Sequence, residues 1–187
     1  MLKLLKKYLK YEKKDKSIFD IIIYGSAVKG KEKFRDIDIL VIFLNGSLRE
    51  RLDKIHIIKN KLKRAIDKEI DIKQILIKDM FLSEFLARTG ILLEGISLFR
   101  NKQFCEILGF KAFTLFWYNL KGLTHSQKVK FNYILAGRKS RGIIEEFKGA
   151  RLVSGAVKIP IENSFGFEEI LDANKINYKK KNILEEI

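Results

Sequence analysis

Residues 21–38 read IIIYGSAVKGKEKFRDID: an apolar segment, the pair Gly25-Ser26, a short basic loop, and then Asp36-Ile37-Asp38. Two carboxylates one residue apart at the head of an apolar run constrain this chain more than any other feature. In a strand from Asp36 to Phe43, side chains two positions apart share a face. Both carboxylates then reach one ligand, while Ile37, Ile39 and Val41 point the other way into a core. Asp36 and Asp38 are alternatively solvated residues on an edge strand, the usual fate of polar residues that alternate with apolar ones. Against this, Leu40, Phe43 and Leu44 make both faces of the run largely apolar, and a strand buried on both faces holds ionised carboxylates only when something pairs with them. A divalent cation is the natural partner. Gly25 removes a Cβ and Ser26 adds a hydroxyl donor, so backbone N–H groups of the turn approach a polyphosphate closely. Magnesium held jointly by carboxylates and substrate phosphates completes this geometry.

The succession of apolar strand, Gly25-Ser26, residues 27–35 and Asp36-Ile37-Asp38-Ile39 resembles the signature of the polymerase-beta-type nucleotidyltransferase superfamily, and in particular its minimal archaeal and bacterial members. The resemblance spans about residues 1–100 and includes Leu93-Glu94-Gly95-Ile96, which is similar to the family's usual ending. Beyond its reach, residues 101–187 read as a smaller α+β accessory region, which makes the whole chain α+β; over residues 1–100 the resemblance implies a small mixed β-sheet with helices, the nucleotidyltransferase domain. It also implies transfer of a nucleoside monophosphate from a nucleoside triphosphate (NTP) to an acceptor, releasing pyrophosphate, with two Mg²⁺ ions, or Mn²⁺, as cofactors. Carried over by motif position, Asp36 and Asp38 bind the metals, and Gly25 and Ser26 cradle the β- and γ-phosphates. Asp71, in Lys68-Glu69-Ile70-Asp71-Ile72, completes the acceptor-side metal site and takes the acceptor's proton. Asp67 and Glu69 are alternatives to Asp71, since Glu69 has the same strand parity. Lys29 either neutralises triphosphate charge or is an exposed loop lysine. Arg35 departs from the Ser that many members carry there, which puts the support of Asp36 in doubt.

The formal net charge is +15, and its placement matters more than its sum. Residues 1–16 carry seven Lys against Glu12 and Asp15, and residues 111–160 carry ten Lys or Arg against Glu145 and Glu146. The middle of the chain is nearly neutral. Basic excess confined to two segments attracts polyanions, most plausibly nucleic acid, through counterion release; otherwise it is a lysine-rich solvated surface. One cysteine, Cys105, excludes an internal disulfide, and with only His56 and His125 as companions it makes no zinc site. No charged-then-apolar leader is present and the longest apolar runs are far too short to span a bilayer, so the chain reads as cytoplasmic, without a membrane partner.

Leu2, Leu5 and Leu9 recur at helical spacing, which predicts an amphipathic helix packed on the sheet. Strands are expected at 18–24, 36–44 and 70–77. Ser47 and Glu50 form a capping-box pattern for a helix over about 48–66 with Leu52, Ile55, Ile58, Leu62 and Ile66 inward, and His56 exposed. A short helix over 80–88 and a strand pair over 91–99 complete this region. Residues 103–120, rich in Phe with Trp117 and Tyr118, read as a helix packing a second core in preference to an aromatic nucleic-acid platform. Thr124 and Gln127 form a second capping box, opening a helix that ends near Gly137 with Val129, Tyr133 and Ile134 or Leu135 inward. A hairpin over 151–159 turns at Ser154-Gly155. Helix, basic turn, helix and hairpin is the order of a winged helix, and makes Lys128, Lys130, Arg138, Lys139, Arg141 and Arg151, with Lys148 and Lys158, candidate phosphate contacts. A helix over 165–174 precedes Lys179-Lys180-Lys181 near a terminus expected to fray. The partners expected are therefore an NTP and a nucleic-acid acceptor, with a protein acceptor as the alternative; a non-catalytic nucleic-acid-binding module is the rival from another class.

Overall fold

The computed structural model describes residues 1–28, 35–138 and 141–187; Lys29 and Lys139 lie outside the described residues. The chain divides into two compact units, Met1–Leu108 and Gly109–Ile187.

The first unit runs α1 (Leu2–Tyr8), β1 (Ile18–Tyr24), a 3₁₀ turn (Gly25–Val28), β2 (Asp36–Phe43), α2 (Leu48–Lys63), β3 (Glu69–Leu76), α3 (Arg88–Glu94), β4 (Ile96–Ser97) and α4 (Phe104–Ile107). Its sheet has the order β3-β2-β1-β4, with β1 antiparallel to β2 and β4, and β2 parallel to β3. A parallel join needs a crossover, and α2 supplies it. Ser47 and Glu50 close the expected capping box at its start.

Alternation along the strands builds two cores. Ile37, Ile39, Val41 and Phe43 pack with Ile21 and Ile23 of β1, Leu5 of α1, Leu9 just after it, and Ile58 and Leu62 of α2. Leu40 and Ile42 pack on the other side with Ile22, Met80, Ile91 of α3 and Phe104 of α4. Asp36 and Asp38 share the parity of Leu40 and Ile42, so they stand at the open end of the second face.

Several local expectations need correction. Leu52, expected inward, is half exposed. Residues 91–94 of the segment 91–99 belong to α3, because Ile91 docks into the second core, and only Ile96–Ser97 pair with β1. The helix expected over 80–88 is replaced by a 3₁₀ turn, Ile77–Phe81. Phe104, buried in the second core, keeps residues 101–108 with the first unit, so the division falls after Leu108.

The second unit runs β5 (Phe110–Asn119), α5 (His125–Ala136), α6 (Ile143–Glu146), β6 (Ala150–Val153), β7 (Ala156–Pro160), α7 (Ser164–Ala173) and β8 (Asn177–Glu186). Its sheet is antiparallel throughout, in the order β6-β7-β5-β8. Strand, helix, hairpin, helix and strand in that order is a split βαβ arrangement. Phe131 and Leu135 of α5 and Phe167 and Leu171 of α7 join Phe116, Tyr118, Val157 and Ile159 in one core, so both helices cover the same face.

Here the largest difference from expectation lies. Residues 110–119 form a ten-residue strand, not a helix, flanked by β7 on one side and β8 on the other. Aromatic and β-branched side chains suit a pleated, half-buried surface, and two partner strands decide the matter. Lys179–Lys181 are not in a frayed end, because β8 pairs with β5 along its whole length. The hairpin turning at Ser154-Gly155 is present, but it belongs to the four-stranded sheet and does not stand as a wing beside a helix pair. Helix α6 is a single turn, too short to serve as a recognition helix. On α5 the inward residues are Phe131 and Leu135, while Val129 and Tyr133 are exposed. No helix among the described residues is long and apolar enough to cross a membrane.

Candidate active site

Strand β2 begins at Asp36 and carries Asp38 two positions on, both partly buried while Ile37 between them is fully buried. In the parallel pairing of β2 with β3, Asp38 is opposite Asp71 and Asp36 is opposite Glu69. Register partners in a sheet point to the same side, so these four carboxylates share one face. Of the alternatives to Asp71 left open by the sequence, Glu69 is therefore on that face beside Asp36, and Asp67 lies outside the strand. Asp71 also faces Lys73, whose ammonium lies 3.5 Å from its carboxylate.

The carboxylates act on one another. Burial raises the Asp38 pKa above the usual carboxylate range, and the charges of Asp36 and Asp71 raise it further, with Lys73 opposing. Like charges gathered in a partly desolvated place favour a bound cation.

On the other side of β2, Tyr24 pairs with Asp38 across β1. Burial first, and then the charges of Asp38 and Asp71, push its hydroxyl up to about 12. Tyr24 therefore stays protonated at neutral pH as a hydrogen-bond donor beside the carboxylates. Sequence reasoning missed this residue. Its signal was its parity, for Tyr24 ends β1 two positions after Ile22 and so points to the same face.

The Gly-Ser turn meets this cluster directly. Gly25 has φ +73°, a left-handed conformation, and a β-carbon there would overlap the Asp38 carboxylate, with Asp38 Cγ only 3.1 Å away. Glycine is thus required twice, by backbone conformation and by space. The neighbouring Ser26 Oγ is shielded from solvent and has no hydrogen-bond partner among the described residues. A buried hydroxyl without a partner is unusual and suits an incoming phosphate oxygen. Among the described residues, no three His, Cys, Asp or Glu side chains close tightly enough to hold a metal ion by themselves.

The basic candidates are dispersed. Lys128 and Lys130 lie on α5; Arg138 follows it, with its guanidinium 5.0 Å from the Tyr133 ring centroid. Arg141 pairs with Glu145 at 3.3 Å, and Arg151 is exposed on β6.

A mixed sheet whose central strand presents two carboxylates to a glycine-opened turn, with a third carboxylate on its parallel neighbour, is the frame of the candidate site. Residues 5–99 match the family described as Polymerase beta, Nucleotidyltransferase, and the chain belongs to that family. Nucleotidyl transfer is the activity this membership implies. No curated protein matches the chain.

Proposed function

We propose that this protein transfers a nucleoside monophosphate from an NTP to RNA, through the face of the sheet that carries Asp36, Asp38 and Asp71. The observation that carries the reading is the register of Asp38 against Asp71 on parallel strands. It puts Asp38 and Asp71 next to each other on one surface, which supports reading them as donor-side and acceptor-side carboxylates.

Asp36 and Asp38, with Asp71, would hold Mg²⁺ or Mn²⁺ together with substrate phosphates, a mode in which Mg²⁺ needs only one or two carboxylates from the protein. When bound, the ions neutralise phosphate charge and favour ionisation of the attacking hydroxyl. The residues do the rest. Gly25 leaves room beside Asp38, and Ser26 Oγ donates to a phosphate oxygen. Tyr24 donates from a hydroxyl that does not ionise near neutral pH. In the transfer, the acceptor oxygen forms a bond to the α-phosphorus, the bond from that phosphorus to the bridging oxygen breaks, and pyrophosphate leaves. The acceptor's proton passes to Asp71, which exchanges its contact with Lys73 for the incoming hydroxyl. Little covalent help is needed from the protein, since positioning and charge carry most of the rate.

RNA is the acceptor of choice because the basic excess of residues 111–160 suits a polyanion. Incubation of the full chain with α-labelled NTP, Mg²⁺ and cellular RNA tests the reading. Label is expected on RNA with the wild type and lost with Asp36→Asn combined with Asp38→Asn. Labelling that survives both substitutions rules it out, and label that migrates with polypeptide reassigns the acceptor.

A further inference from the structure

We propose that the helix-free face of the second unit's sheet binds single-stranded RNA, with Trp117 as its stacking platform; this rests on the reading above that RNA is the acceptor. The face exists because residues 110–119 form a strand. Ala112, Thr114, Phe116 and Tyr118 are buried toward the helices, and Phe113, Leu115, Trp117 and Asn119 occupy the opposite side. Among the described residues, α5, α6 and α7 each contribute apolar residues to the core around Phe116.

The residues on the open side suit a nucleic-acid strand. Trp117 is 44% exposed. The register sets Lys179 beside Trp117, Lys181 and Lys158 on either side of Leu115, and Asn177 beside Asn119. Lys180 is turned to the other face, where it pairs with Glu168 at 2.6 Å, so alternation directs Lys179 and Lys181 to the open one. Phe113 is not an open ring: the Lys158 ammonium lies 4.5 Å from its centroid and binds Glu185 at 2.6 Å. Between these two rings Trp117 is thus the free one, and it lines a hollow of ≈ 330 Å³ at the end of the β5–β8 pair with Tyr118, Asn119, Asn177, Tyr178 and Lys179.

Charge and shape choose the occupant. A flat indole with Lys179 beside it and Lys181 two residues along the same strand suits a polyanion that also carries aromatic faces. A duplex hides those faces in its stack, so the strand must be single. Asn119 Oδ1 accepts from the Lys121 backbone N–H at 3.1 Å, which leaves its amide hydrogens to donate to a base edge or a ribose 2′-hydroxyl. That hydroxyl is what distinguishes RNA from DNA at such a site.

Trp117 is the chain's single tryptophan, so its fluorescence reports the contact directly. The full chain is titrated with oligoadenylate in the absence of nucleotide. The expected result is saturable quenching that weakens with salt and is not produced by duplex RNA. Trp117→Ala is expected to lower affinity for a labelled oligoadenylate about tenfold, by the size of one base–aromatic stack, and Trp117→Phe to retain most of it. Lys179→Ala with Lys181→Ala is expected to reduce the salt slope by about 0.7 per lysine. No quenching, equal quenching by duplex, or unchanged affinity in a folded Trp117→Ala variant overturns the proposal. So does self-association that Trp117→Ala abolishes, which assigns the face to a second copy. Transfer to RNA without quenching overturns the platform alone, whereas quenching without transfer to RNA overturns only the transferase reading.

Discussion

Asp38 and Asp71 are register partners on the parallel strands β2 and β3, with their side chains on one face. Burial and the neighbouring charges of Asp36 and Asp71 raise the Asp38 pKa, so in the metal-free protein this carboxylate works against folding at neutral pH. Asp38→Asn is therefore expected to lower transfer by at least about 10²-fold while leaving thermal stability in metal-free buffer unchanged or raised. A labelling assay paired with a melting curve checks both. A large loss of stability would show that Asp38 has a structural role.

Gly25→Ala places a methyl group against the Asp38 carboxylate and forces a left-handed conformation on a residue with a Cβ. The conformational cost alone is about 1–2 kcal/mol. Reduced denaturant midpoint and reduced transfer are expected together, and Gly25→Ala with wild-type behaviour would contradict the close packing of turn and strand.

Asp20 is fully buried on β1, where it accepts from Ser97 Oγ at 2.8 Å and from the Arg100 guanidinium. Arg100 also lies 4.8 Å from the Phe19 ring centroid. Removing the cation leaves a buried charge without its counterion, so Arg100→Ala is expected to cost about 3 kcal/mol. Urea unfolding measures it. Arg100→Lys, which keeps the charge but loses the planar fork, is expected to fall between the two.

Glu168 on α7 opposes burial with hydrogen bonds from Lys180 and from the Tyr178 hydroxyl at 2.7 Å, and its pKa is lowered as a result. A depressed carboxylate stabilises the fold above its unfolded pKa, and the contribution disappears as pH falls through the folded value. Wild type is expected to lose stability between about pH 4.3 and more acid conditions, and Glu168→Gln to flatten that part of the curve. Melting temperatures measured across the acid range decide it.

Legibility in the sequence followed how local each determinant is. The Gly25-Ser26 turn, the Asp36–Asp38 alternation and both capping boxes depend on residues a few positions apart, and all four are present. Tyr24 escaped notice because its contact with Asp38 crosses two strands. Residues 103–120 misled for the same reason. Their aromatic content fits a helix or a strand, and the pairing that selects the strand comes from Ala156–Pro160 and Asn177–Glu186, far along the chain.

The sequence by itself determined the strand that carries two carboxylates, the Gly-Ser turn that precedes it, and hence the family, because period-two alternation and the absence of a Cβ are properties of the chain. Only the tertiary structure decided which downstream acid stands opposite Asp38, and that the aromatic segment opens one side of a sheet to solvent. Register across strands is set by packing among distant segments, and a shift of one residue would turn every such side chain to the other face.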